Sequence, residues 1–265
     1  MRLFLVFFLF LFQCLLSLSI RAGEVEEVSD LNDFSDGIQK LYSLNDVLSL
    51  KEYGKLLHNK KTNSEGELLF IQYYIALINY RLGLLDYENG EAYFQNCLDI
   101  NANILARSVE YTEAYILNAA CSNAMIRYQP EQTMALSLKS RDALEAATKI
   151  DSQNPRLLFI KGTSAVYTPP QFGGGVERAS QLFSSAIAHF KTQNSNGGNP
   201  LPKWGLDEAY LWLGMLKSVS GEQEEAISAL TQSLEISDNV WIRNTLIPTL
   251  EKGESIGQYF GLNKY

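Results

Sequence analysis

Two histidines, His58 and His189, and three cysteines, Cys14, Cys97 and Cys121, are the side chains of this 265-residue chain best suited to nucleophilic, acid–base or metal chemistry. A histidine base needs a nucleophile or a carboxylate within hydrogen-bond reach, and neither histidine has a neighbouring pattern that supplies one. His58 precedes Lys60 and Lys61 and reads as a solvated helix end, where the dipole favours positive charge. His189 falls near the end of a second helical stretch. The acidic run Glu222, Glu224, Glu225 lacks the alternating ligands and closing glutamate of an EF-hand, so it reads as the first turn of a helix. Gly173-Gly174-Gly175 stands before a helix and could offer backbone N–H groups to an anion. Val176-Glu177-Arg178 follows, however, where a P-loop needs Lys-Ser/Thr. A structural turn with a protruding loop is the better reading. No catalytic residue, cofactor or metal is expected.

The elements that would position any site follow from composition and pattern. Hydrophobic residues make up 46 % and charged residues 20 %, as in a folded globular protein. Thirty acidic against 22 basic side chains give a formal charge of −8, which repels phosphate backbones and disfavours nucleic acid as a partner. Residues 1–22 are set apart: Arg2 precedes an almost wholly apolar run from Leu3 to Leu18, and small residues offer cleavage after Ser19 or Ala22. This reads as a secretory signal peptide, with an uncleaved anchor helix as the alternative. No later apolar stretch is expected to cross a membrane. Cleavage after Ala22 removes Arg2 and Arg21 and takes the charge to −10. An exported protein, periplasmic or extracellular in a bacterial envelope, is expected. Cys97 and Cys121 remain, too few for a disulfide-built scaffold. Two small buried thiols are the simpler reading, with a single bridge as the alternative.

A repeat organises the rest. From Asp207 to Glu235, Tyr210, Leu213 and Lys217 share a helical face around Gly214, which lets another backbone approach. Gly221 ends that helix. Ala226, Leu230 and Leu234, with Ile227 beside them, mark the apolar face of the next. The unit from Pro155 repeats the pattern through Leu158, Gly162 and Ala165, then Ala179, Phe183, Ala186 and Ile187. Pro169-Pro170 and the glycine triplet lengthen its turn. Earlier units are more degenerate. Ser64-x-x-Glu67 reads as a capping box opening a helix to Leu82, and a further pair lies between Ile104 and Ala147, its second helix opened by Pro130. Residues 30–61 look like one more pair. Val240–Leu250 reads as a final helix that Pro248 kinks or shortens. Strand signals are nearly absent.

These units resemble the tetratricopeptide repeat (TPR). Tyr210, Leu213-Gly214, Gly221, Ala226 and Leu230 stand at the family's aromatic, Leu-Gly, turn, small and large positions. Gly173-Gly-Gly, Trp204-Gly-Leu-Asp-Glu-Ala-Tyr and Trp241-Ile-Arg…Leu-Ile-Pro look like a poorly characterised set of bacterial secreted TPR proteins. A weaker likeness is to repeat components that accompany tripartite periplasmic transporters. The resemblance implies an all-α, right-handed TPR-like solenoid of about five helical hairpins over 23–265. The clearest repeats fall at 155–191 and 207–238, a long loop at 192–206 and a capping helix at 240–252.

A solenoid presents a concave face lined by the first helix of each pair. In the family frame that face includes Arg156, Phe159, Thr163, Val166, Leu211, Met215 and Ser218. Repeat domains that grip a C-terminal carboxylate place Lys and Asn there; Phe159 and Leu211 stand at the lysine position, Thr163 and Met215 at the asparagine position. The expected function is therefore a non-catalytic scaffold for a protein or peptide partner. The alternative is a transporter-associated accessory that holds a small apolar ligand or docks a substrate-binding protein. Trp212 reads as core, and Trp204 and Trp241 as seals between hairpins.

Overall fold

The computed structural model describes residues 31–193 and 202–262. The leader at 1–22 and most of the 192–206 loop lie outside the described residues. Eleven α-helices and no strand occur among those described. Ten of the helices form five antiparallel hairpins: α1 (Leu31–Ser43) with α2 (Val47–Asn59), α3 (Glu65–Leu85) with α4 (Gly90–Arg107), α5 (Thr112–Met125) with α6 (Thr133–Ile150), α7 (Pro155–Tyr167) with α8 (Val176–Gln193), and α9 (Leu206–Val219) with α10 (Gln223–Ile236). A short α11 (Ile247–Glu251) closes the array. The chain is an all-α TPR-like solenoid.

Local chemistry explains where the helices begin. Asn154 Oδ1 accepts from the N–H groups of Arg156 and Leu157, and Pro155 occupies the first turn, where its missing N–H costs nothing. Ser64 Oγ accepts from the Glu67 N–H, but the capping box is not reciprocal. Glu67 instead accepts from Thr62 Oγ1 at 2.5 Å. Pro248 lacks an N–H for the helical ladder, and the turn before it, Ile242–Leu246, widens into a π-helix.

The hairpins share one packing device. On α7, a Cβ at Gly162 would fall 2.6 Å from the Phe183 ring of α8, and on α3 one at Gly83 would fall 2.7 Å from the Phe94 ring of α4. Glycine lets the aromatic side chain of each second helix lie directly on the backbone of the first. The same pairing of residue types in separate hairpins marks them as copies of one unit.

Two expectations are corrected. Helix α3 has 21 residues and is, by length and composition, apolar enough to cross a bilayer. It lies between α2, α4 and α5, with Tyr73, Tyr74, Leu77 and Ile78 all buried, so it is the core helix of the array. Cys97 on α4 and Cys121 on α5 are not separate thiols but a disulfide. Packing of α4 on α5 brings their Cα atoms to 6.4 Å, within bridging range. Facing positions on neighbouring hairpins are a tertiary property that spacing alone did not reveal.

Candidate binding cavity

The chain that enters α9 ties the ends of the solenoid together across the inner face. The Lys203 N–H donates to Ser35 Oγ at 2.7 Å, and Lys203 Nζ pairs with Asp36. Trp204 is buried, and its Nε1–H donates to the Tyr73 hydroxyl at 2.8 Å. Gln39 Nε2 donates to Asp207 Oδ2 at 2.9 Å. Both Arg81 terminal nitrogens donate to Glu208, at 2.7 and 2.6 Å, although 127 residues separate the two in sequence. Helix α1 of the first hairpin and α3 of the second are thus bound to α9 of the fifth.

Arg81 is fully buried beneath this strap, its guanidinium 4.0 Å from the Tyr42 ring centroid and 5.4 Å from that of Trp204. Burial alone would lower its pKa, but the Glu208 carboxylate outweighs burial and the net shift is upward. Asp207 moves the opposite way to a salt-bridged acid. Burial first, then the adjacent Glu208 charge, push it up to about 6. Burial pushes the Tyr80 phenol up to about 12, and raises Tyr42 further.

Beside the strap the inner face opens into a cavity of about 1280 Å3. Tyr42, Tyr80, Asp207 and Glu208 form one end. The wall continues through Phe159, Thr163 and Leu211 to an aromatic corner of Tyr167, Phe172, Trp212 and Phe260. There the Tyr167 and Trp212 rings meet edge to face at 6.2 Å and Phe260 lies 5.5 Å from Trp212. The C-terminal turn that carries Phe260 is pinned by the Tyr167 hydroxyl, which donates to the Phe260 carbonyl. The other side runs between α6 and α7, which touch only lightly because α7 packs mainly on α8 and α5. That cleft is lined by Ile126, Leu144 and Ile160, by the hydroxyls of Ser137, Ser140 and Ser164, and by Arg127, Arg141 and Lys161.

Of the seven residues assigned to the concave face, Phe159, Thr163 and Leu211 line this cavity. The other four are buried elsewhere. Arg156 Nε donates to both Glu113 oxygens at 2.9 and 2.8 Å, and its Nη1 to the Pro202 carbonyl at 2.6 Å. It anchors the strap to α5 and offers nothing to a partner. Ser218 Oγ accepts from the Ile256 N–H at 3.0 Å, because the C-terminal segment folds over α9. Val166 and Met215 are interior. Trp204 seals the strap; Trp212 is half-buried and stacks on Phe183 while facing the cavity, so it is boundary and not core. Trp241 keeps 39 % exposure and packs on Tyr259 and Phe260. Neither His58 nor His189 lines the cavity. Gly173 and Gly175 adopt positive φ (85° and 94°), and the Gly175 N–H is taken by the Ala165 carbonyl, as suits a structural turn.

Sequence reasoning did not find Arg81, Arg127, Lys161 or the tyrosines. One signal was present: Arg81 interrupts the apolar run of α3, and a charge there has to be paired or caged.

These features define a helical-repeat scaffold with a cavity on its inner face, and the comparisons agree on the fold. Neither a protein-family model nor a curated protein matches the chain. Among solved structures it is similar to the HusA haemophore from Porphyromonas gingivalis, with a TM-score of 0.59, 18 % identity, and coverage of 71 % of this chain and 91 % of that one. It is also similar to a thermophilic TPR protein from Thermus thermophilus, with a TM-score of 0.54, 16 % identity, and coverage of 84 % and 100 %. Identities this low speak for the TPR-like fold alone.

Proposed function

We propose that the chain is an exported, non-catalytic binding protein that holds a compact apolar ligand in its inner-face cavity. The carrying observation is the cavity itself: about 1280 Å3, preformed, and walled by Phe159, Leu211, Trp212 and Phe260. Ligand sites are concave and mostly apolar with a few placed polar groups, and this one has that make-up. The strap supports a compact ligand over an extended peptide, since residues 202–208 already occupy part of the inner face along which a peptide would run. Export is supported by the apolar leader and by the Cys97–Cys121 disulfide, a bond that persists in oxidising compartments. The haemophore likeness makes a large flat ring a ligand to test. For such a ring the cavity offers aromatic faces and phenols in place of an imidazole.

Titration with the uncharged fluorophore N-phenyl-1-naphthylamine tests the reading. Saturable, one-to-one binding is expected, weakened at least tenfold by Leu211→Asp and by the cavity-filling Thr163→Trp. Unchanged binding in both variants, each shown to be folded by circular dichroism, would remove the cavity as the site.

A further inference from the structure

Within that cavity reading, on which this inference rests, the polar groups of the lining divide into those already engaged and those left free. Its charges are answered within the chain. Glu208 is held by Arg81, Glu145 faces Arg141 and the Lys161 ammonium, and Asp207 accepts from Gln39, while Arg127 is exposed. Most of its hydroxyls donate to backbone carbonyls: Thr163 and Ser164 to Ile160, Thr168 to Ser164, and Tyr167 to Phe260. Two phenols at the strap end differ. Among the described residues, the Tyr42 and Tyr80 hydroxyls form no hydrogen bond with the chain. Tyr74 also lacks a partner, but its hydroxyl is sealed in the core, whereas Tyr42 and Tyr80 line the cavity.

These two phenols come from different helices, yet one guanidinium gathers them. Arg81 Cζ lies 4.0 Å from the ring centroid of Tyr42 on α1 and 5.5 Å from that of Tyr80 on α3. Gln39, one turn before Tyr42, accepts from Arg81 at 3.2 Å and donates to Asp207. Burial above all raises the pKa of both phenols, and Glu208 adds to it, so each keeps its proton and remains a donor. A ligand group that meets them has to bring an acceptor. A carboxylate would do so against Asp207 and Glu208, whose one nearby cation, Arg81, is already bound to Glu208. An ammonium has no lone pair to offer. A neutral carbonyl oxygen meets both conditions. From this end one face of α9 leads onward: Leu211 lies one turn beyond Asp207, and Trp212 one turn beyond Glu208. Phe260 closes that face 5.5 Å from Trp212.

We infer that the ligand is an uncharged aromatic carbonyl compound, its carbonyl end taking the phenol hydrogens of Tyr42 and Tyr80 and its rings lying against Leu211, Trp212 and Phe260. The complex supplies the acceptor that the folded chain lacks at these two residues.

Two neutral naphthalene probes separate this inference from the reading beneath it. 6-Propionyl-2-(dimethylamino)naphthalene carries a ketone whose emission moves to longer wavelength when its oxygen accepts a hydrogen bond; N-phenyl-1-naphthylamine has no carbonyl. The ketone is expected to bind the folded protein one to one, to compete with the arylamine, and to show the long-wavelength emission. Phenylalanine keeps each ring and breaks no internal hydrogen bond. Tyr42→Phe with Tyr80→Phe should therefore shift the bound ketone's emission to shorter wavelength and weaken its binding about tenfold. The arylamine's affinity should stay unchanged. The matching carboxylate, 6-(dimethylamino)-2-naphthoate, is expected to bind the wild type about tenfold more weakly than the ketone at pH 8, where Asp207 is ionised. A ketone that does not bind, one whose emission and affinity survive the double variant, or a carboxylate that binds equally well overturns the carbonyl assignment, while arylamine binding leaves the cavity reading intact. Failure of ketone and arylamine alike to bind overturns both.

Discussion

Arg81 and Glu208 form a two-pronged ion pair at 2.6 and 2.7 Å that joins α3 to α9 across the inner face of the solenoid. Stacked repeats otherwise touch only their neighbours. This pair, with Gln39–Asp207 and Trp204–Tyr73, makes the array behave as a closed unit and forms one end of the cavity. Arg81 has no exposed side-chain surface, so its partner cannot be replaced by water.

Glu208→Gln therefore leaves a buried guanidinium without its counter-charge, and a loss of about 3 kcal/mol is expected. Arg81→Met with Glu208→Leu should recover most of that loss, because apolar groups of similar volume need no partner. Urea unfolding of the three proteins checks this. A loss below about 1 kcal/mol in the single variant would show that the latch contributes little.

Stability should depend on pH through Asp207. Its folded pKa, about 6, lies above that of a free carboxylate, because burial and Glu208 disfavour its charge. A raised carboxyl contributes stability below about pH 4, and that contribution disappears as pH rises through 6. Asp207→Asn keeps an acceptor for Gln39 and removes the titration. The variant is expected to melt above the wild type at pH 8, by as much as ~3 kcal/mol, and to match it near pH 4. Parallel melting curves across that range would be inconsistent with the shift.

Reduction of Cys97–Cys121 opens a loop whose ends lie 24 residues apart. Chain-entropy arguments for a loop of that size give about 3 kcal/mol. Wild type in reductant, and Cys97→Ala with Cys121→Ala, should both show that loss in urea, while far-ultraviolet circular dichroism stays helical.

At Gly162 helix propensity and packing make opposite predictions. Alanine is about 1 kcal/mol better than glycine inside a helix, yet its Cβ would meet the Phe183 ring at 2.6 Å. Overpacking of this kind costs about 1–3 kcal/mol, so Gly162→Ala should destabilise. Adding Phe183→Leu should restore part of the loss. A stabilised single variant would mean that the ring moves aside freely.

The sequence by itself determined the class of fold. Spacing such as Tyr210, Gly214 and Ala226, and the turn at Gly221, are local properties: they set which face of each helix is apolar and where each helix stops. Neighbouring hairpins then stack because each apolar face needs cover. The clear repeats were legible for this reason, as was the sealing role of Trp204.

Only the tertiary structure decided what the inner face is. Arg156, Val166, Met215 and Ser218 hold the positions that line the groove of an open solenoid, but here the strap takes Arg156, the C-terminal segment takes Ser218, and Val166 and Met215 are interior. Pairing of Cys97 with Cys121, and of Arg81 with a glutamate 127 residues away, likewise depends on how successive hairpins rotate about one another. Small rotations accumulate along the array, and no short window of sequence encodes their sum. That sum brings the first and fifth hairpins together, and residues of all five hairpins line the cavity.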